Sequence, residues 1–432
     1  MRTDIATGDA AAHEPAIARI AHLTDLHVTD GQSPARFEFV NHQWQDPRFR
    51  ELLTMQRPHE MLNTHAIAAM VRTINALEDV DVVAMTGDGV DNTQRNELDN
   101  LCALLDGGAV HPDSGANGYE GVQRVDWPDG IFWKPDGSPD GDVFQRDLGF
   151  PRHPGLLEKA VQPFRSPGLR VPWLRCWGNH EQVCQGVGIV TPALAEAMAG
   201  SRKVIEMPAD LDPDHALDIF VSSPERFMTG ASRSVAPDPA RRPIQRADLL
   251  PSSYYVRDAG EVRYLTLDTV CNAGGADGSI DEVQLRWVEE KLREARDRYV
   301  VVLSHHGYDT LFNPRGERRA DELLRLLQRS PNVVLWLNGH IHANRITPRE
   351  TFWEVTTSSL VDWPCQARAV EIRRTKSGHL AIDCTMLDHD GEGLAGLHRE
   401  LAANVPNNGF DSWRPGRPVD RNVTLLLPDP LG

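Results

Sequence analysis

The stretch Val80-Asp81-Val82-Val83-Ala84-Met85-Thr86-Gly87-Asp88-Gly89-Val90-Asp91-Asn92 decides the fold. Its first half is a short apolar run of the kind that forms a buried strand. Its second half opens on Gly87 and places Asp88, Asp91 and Asn92 in one loop. Before it, Ile67, Met70, Val71, Ile74 and Leu77 repeat at helical spacing; after it, Leu98, Leu101, Cys102 and Leu105 do the same. A strand between two amphipathic helices is the unit of an α/β core.

The same habit recurs on both sides. Ile17 to Leu23 runs into Asp25-Leu26-His27, and Val171 to Trp177 into Gly178-Asn179-His180-Glu181. Tyr299 to Leu303 precedes Ser304-His305-His306-Gly307, and Val333 to Leu337 precedes Gly339-His340-Ile341-His342. Further elements are expected at Val262 to Leu267 (strand), Leu323 to Leu327 (helix) and Ile280 to Leu292, a helix with a capping box of Ser279 and Glu282. Past residue 350 only strands are expected: Phe352 to Thr357, Ala369 to Arg373 and Leu380 to Leu387, suggesting a second, mixed or antiparallel sheet.

Ligands of open α/β sheets gather beyond the carboxyl ends of the strands, where these polar clusters lie. Oxygen from Asp and Asn mixed with nitrogen from His suits Mn, Fe or Zn better than Ca or Mg. No clustered cysteines suggest a structural zinc site. One such cluster is weak evidence; five, each at a strand end, are strong.

The 432 residues carry 45 basic and 62 acidic side chains, a net charge of −17. That counts against broad nucleic-acid binding and against docking on anionic membranes. No apolar run reaches the roughly 18 residues that a membrane span needs. Residues 1–15 are expected to be flexible and lack the basic start and apolar stretch of a secretory leader. Six scattered cysteines fit a reducing compartment, so the cytoplasm is the expected location. One domain is expected over 16–395, followed by a tail at 396–432. Two irregular insertions, about 107–170 and 201–253, interrupt it; the first holds 11 Gly and 8 Pro yet keeps its aromatics.

Taken in order, D-x-H, G-D-x-x-D-N, G-N-H-E, H-H and G-H-x-H resemble the calcineurin-like metallophosphoesterase superfamily, over Asp25 to His342. The spacing around Arg36, the Gly-rich insertion and the Trp353-to-Trp363 stretch also resemble an actinobacterial branch near cyclic-nucleotide phosphodiesterases. The resemblance implies a four-layer αββα sandwich of two mixed sheets flanked by helices. It implies two metal ions of Mn, Fe or Zn type. Asp25, His27 and His342 would hold the first, Asp88 would bridge both, and Asn179, His305 and His340 would complete the second. His305 and His306 are adjacent, and the family pattern favours His305. His180 corresponds to the histidine placed over the phosphate, and Asp91 and Glu181 to groups that orient ligands or backbone. Arg36 and Asn92 are candidates to touch the substrate phosphate.

The expected reaction is in-line hydrolysis of a phosphorylated small molecule, leaning to diesters, by a hydroxide shared between the ions. A phosphomonoesterase or nucleotidase of the same fold is the alternative. A nuclease should carry a basic groove, and a metal-free scaffold should lack some ligands. Asp268 reads as a turn or cap residue, and Cys176 and Cys184 as buried apolar groups.

Overall fold

The computed structural model describes residues 1–11, 15–52, 56–249 and 252–432. Strands β1 (Ala18–Leu23), β2 (Val82–Met85) and β3 (Trp173–Arg175) run parallel in one sheet. The chain then builds a second sheet. There β4 (Tyr255–Ala259) pairs antiparallel with β5 (Val262–Thr266), while β6 (Tyr299–Leu303) and β7 (Val333–Asn338) continue in parallel. The hairpin of β8 (Arg345–Pro348) and β9 (Trp353–Thr356) closes that sheet with β9 on β7. Finally β10 (Gln366–Arg374), β11 (His379–Asp388) and β12 (Val423–Pro428) return to the first sheet. The strand orders are β12-β11-β10-β1-β2-β3 and β8-β9-β7-β6-β5-β4.

The trailing strands therefore make no sheet of their own, contrary to the sequence expectation. β9 extends the second sheet, and β10 pairs antiparallel with β1 through Val370 opposite Ile20. The reason is that each has one apolar face to cover, and the gap between two existing sheets covers it. Residues beyond 396 supply β12, at the edge of the first sheet, where the backbone of Arg2 also pairs with Leu425.

Period-two alternation explains the layering. On β6, Val301 and Leu303 face the first sheet, where they pack with Ile20, Ala84 and Val370. Val300 and Val302 face outward onto α3 (Glu282–Glu294) and α4 (Ala320–Gln328) through Val288, Leu292, Leu323 and Leu327. On the other side, Ala21 and Leu23 pack on α1 (Asn63–Asn75) and α2 (Arg95–Asp106). Each such buried Leu or Val is worth roughly 1.5–3 kcal/mol. The result is the αββα sandwich. Helix α3 starts later than the Ser279 capping box suggested: Asp281 is its N-cap and accepts from Gln284 N at 2.7 Å.

Both insertions are packed. Tyr119, Trp133, Phe150 and Leu156 of the first share a cluster with Met61, Leu62 and Leu401. Val204, Phe220 and Phe227 of the second pack on Phe37, Phe39 and Val40. Asp30 ties the two together, accepting from Ser114 Oγ at 2.8 Å and Arg241 Nε at 3.1 Å. Among the described residues no helix is long and apolar enough to cross a membrane.

Candidate metal centre

The parallel strands of both sheets point their carboxyl ends at one spot, and the loops that follow hold the polar clusters. Backbone pairing outlasts the strands: Asp25 N donates to Gly87 O at 3.1 Å and His27 N to Asp88 O at 3.0 Å. The loops then turn sharply. Asp25, His27, Asp88, His340 and His342 all have φ between 48° and 69°, a left-handed backbone that non-glycine residues seldom adopt. Such strain gathers at functional sites, where the surrounding fold over-determines it. Gly339 lets the loop after β7 lie against the loop after β1, since a Cβ there would be 1.9 Å from Thr24 Oγ1.

One donor group consists of Asp25, His27, Asp88 and His342, all buried. His27 Nδ1 donates to Asp91 Oδ1 at 3.0 Å, and His342 Nδ1 to Asp362 Oδ2 at 2.7 Å. With the ring protons so placed, both Nε2 atoms carry lone pairs, yet they face each other at 3.2 Å. Asp25 Oδ1 stands 3.1 Å from His342 Nε2. Three lone pairs therefore converge with no proton between them, an arrangement that a cation satisfies.

The second group follows the same logic. His305 Nδ1 donates to Thr86 O at 2.8 Å, so its Nε2 lone pair faces Asn179 Oδ1 at 3.0 Å and Asp88 Oδ2 at 3.2 Å. His340 Nδ1 lies 3.1 Å from the same Asn179 oxygen. Asn179 is turned this way because its Nδ2 donates to Gly186 O at 3.3 Å; a Cβ on Gly186 would sit 2.2 Å from that nitrogen. Burial opposes a charge on His305, but the Asp88 carboxylate outweighs it and lifts the pKa to about 9. Asp88 Oδ2 is also 3.8 Å from His27 Nε2, so this carboxylate stands between the two groups.

His306 lies within the second cluster, but both its ring nitrogens are engaged elsewhere, Nδ1 with Thr269 Oγ1 and Nε2 with Ala276 O, each at 2.9 Å. His305 is the one aimed at Asp88 and Asn179. His180 donates through Nδ1 to Asp91 O at 2.9 Å and through its backbone to Asp88 Oδ1 at 2.8 Å. Burial opposes its protonation; Asp88 and Asp91 prevail and raise its pKa. The Glu181 carboxylate accepts from the backbone of Gly178 at 2.6 Å, Gly89 at 2.8 Å and Asp88 at 3.1 Å, binding the loops after β2 and β3 together.

Arg36 and Asn92 are placed under the site and not over it. Arg36 is fully buried and pairs with Asp91 and with Glu60, the latter at 2.8 Å. Asn92 spends its amide on Ala35 O and Gln185 N, at 3.2 and 3.0 Å. Burial works against the charge of Asp91, yet Arg36 beside it holds the carboxyl well below the usual carboxylate range. A chain of buried charges, Lys203–Glu38–Arg36–Asp91, thus links the second insertion to His27.

Sequence reasoning missed Asp362, Arg57 and Arg414. Asp362 orients His342 and accepts from Arg57 Nε at 2.9 Å. Its signal was present, an Asp a few residues beyond the β9 strand, as at the other clusters. Arg57 and Arg414 lie in irregular segments with no periodic cue.

A family model described as calcineurin-like phosphoesterase matches residues 139–344, which include Asn179, His180, His305, His340 and His342. Two relatives match at 39% identity. One is a probable cyclic nucleotide phosphodiesterase of Synechococcus sp. (strain WH7803), over 20% of this chain and 35% of its own length. The other is the 3',5'-cyclic adenosine monophosphate phosphodiesterase CpdA of Escherichia coli (strain K12), over 15% of this chain and 25% of its own. The chain thus spans about a third or less of the curated relatives it matches. A solved dimetal phosphatase from Danio rerio aligns over 87% of this chain and all of its own, at 12% identity and a TM-score of 0.43. The family match covers the loops after β3, β6 and β7, and β1 and β2 bring Asp25, His27 and Asp88 beside His342: over residues 139–344 the chain is similar to calcineurin-like phosphoesterases.

Proposed function

We propose that the chain is a metal-dependent phosphoester hydrolase acting on a phosphorylated small molecule, with diesters preferred. The observation that carries this reading is the pair of lone-pair clusters that share Asp88. Asp25, His27 and His342 would hold one ion, Asn179, His305 and His340 the other, and Asp88 both. Two ions bound there supply charge neutralisation at phosphoryl oxygens and a water acidified toward neutral pH.

The chain's own groups do the rest. Asp91 and Asp362 fix the tautomers of His27 and His342, keeping Nε2 free to bind. His180, which Asp88 and Asp91 pull toward its protonated form against the effect of burial, would donate to the leaving oxygen. Glu181 keeps Asp88 and His180 in register by clamping the two loops that carry them. The diester preference draws on the short stretches shared with the two cyclic-nucleotide phosphodiesterases.

The test is hydrolysis of a chromogenic phosphodiester and its matching monoester by protein stripped of metal and reloaded with Mn, Fe or Zn. Asn179→Ala serves as the contamination control. Metal-dependent turnover absent from the control is expected, faster on the diester. Protein that binds no metal under any of these conditions would sink the reading.

A further inference from the structure

The donor cluster is buried, and few side chains connect it to solvent. Fractional side-chain exposure is 16% for His180, 15% for His340 and 9% for His342. Beside them stand Arg57 at 12% and Arg414 at 17%. On the opposite side, Asp277 is 56% exposed and 3.9 Å from His340 Nε2. The mouth is thus cationic beside Asp25, His27 and His342, and acidic beside His340.

The two arginines differ in what they have left to give. Arg414 donates through Nη1 to the carbonyls of Ile341 and His342, at 3.2 and 3.4 Å, and through Nε and Nη2 to Asn408 Oδ1. It is a strut for the loop after β7. Among the described residues the Arg57 side chain donates only through Nε, to Asp362 Oδ1, while its backbone N–H donates to Glu60. Its Nη1 stands 3.8 Å from Asp91 Oδ1, beyond hydrogen-bond reach, and among the described residues neither Nη has another partner. Its charge reaches both His27 and His180, opposing protonation of each. A guanidinium held by Nε alone presents its two Nη donors as a fork, the geometry that matches phosphoryl oxygens.

We propose that Arg57 is the substrate-anchoring cation of the site, its Nη donors taking a non-bridging phosphoryl oxygen beside His180. Asp277 repels the anion from the far side, so the two charges together set how the ester lies. Asp362 orients a metal ligand with one oxygen and the substrate cation with the other. The inference rests on the phosphoester reading, and its test is built to fail separately.

The full chain, reloaded with metal, is titrated with inorganic phosphate by calorimetry as wild type, Arg57→Gln and Asp277→Asn, with metal content measured for each. Arg57→Gln is expected to keep two metal equivalents and bind phosphate roughly 10–100-fold more weakly, the loss of a charge-assisted hydrogen bond. Asp277→Asn is expected to bind it more tightly. Opposite shifts from two conservative changes are not produced by a structural role. Unchanged phosphate affinity in Arg57→Gln at full metal content overturns the proposal, as does wild-type protein that holds two ions and binds no phosphate. If Arg57→Gln loses metal, Arg57→Lys is read instead, because it keeps the charge beside Asp362 without the fork. Weakened binding at full metal content then supports the role, and wild-type affinity overturns it. Arg57-dependent phosphate binding without hydrolysis of any ester would count against the hydrolase reading alone. Hydrolysis with Arg57-independent binding would count against Arg57 alone.

Discussion

His27 and His342 meet Nε2 to Nε2 at 3.2 Å, each with its Nδ1 proton committed to a carboxylate, Asp91 for one and Asp362 for the other. With the carboxylates taking both Nδ1 protons, the two Nε2 lone pairs face each other, the arrangement that the proposed first metal would satisfy. Asp362→Asn removes the acceptor charge that fixes the His342 tautomer. Affinity for the first metal should fall roughly 10–100-fold, as for other partners of metal-binding histidines. Competition with a chelator measures it; wild-type affinity would show that Asp362 has no such role.

Asp88 Oδ2 stands within 4 Å of a ring nitrogen from each cluster, at 3.2 Å from His305 Nε2 and 3.8 Å from His27 Nε2. Its loss should therefore affect both ions together, unlike the loss of any other donor. Asp88→Ala is expected to abolish binuclear loading. Two full equivalents retained by elemental analysis would refute the bridging assignment.

His180 holds no position in either pair of facing lone pairs, so its removal should separate binding from chemistry. His180→Ala is expected to keep both metals and slow turnover roughly 10²–10⁴-fold, the range for general acid–base groups. The loss should be smaller for esters with good leaving groups, which need less help from a proton donor. Equal slowing across leaving groups would remove the acid role.

Much of the site is legible in the sequence because it is local. Each cluster, from Asp25-Leu26-His27 to His340-Ile341-His342, sits at the end of an apolar run, so strand and ligand are read together. Sheet membership is not local. The β10 run looks like the start of a new sheet, and only its pairing with β1 shows otherwise. The same holds for β12, which takes its place from β11 more than 30 residues back in the chain. Arg57 and Asp362 escaped notice because neither residue is informative alone: their 2.9 Å contact spans 305 positions. In the sequence, its charge makes Arg36 no more than a candidate phosphate contact. A charge seen in sequence carries no burial, and here the pull of Asp91 and Glu60 draws the side chain inside.

The buried His59 offers a prediction about pH that does not involve the reaction. Its Nε2 donates to Val361 O at 2.7 Å, its Nδ1 has no partner among the described residues, and burial lowers its pKa from 6.5 to about 4. Between those two values the unfolded chain binds a proton that the folded chain refuses, so stability must fall as the pH falls from 6.5 toward 4. The shift bounds the loss at roughly 3 kcal/mol for this group. His59→Gln keeps a donor for Val361 O and cannot titrate. Urea midpoints for both proteins, taken at pH 7 and again near pH 5 under one metal condition, cancel the proton uptake of the metal ligands. The variant should lose less stability between the two conditions, by roughly 1–2 kcal/mol. An equal loss in both would mean that His59 is protonated in the folded chain and that its buried Nδ1 has found a partner.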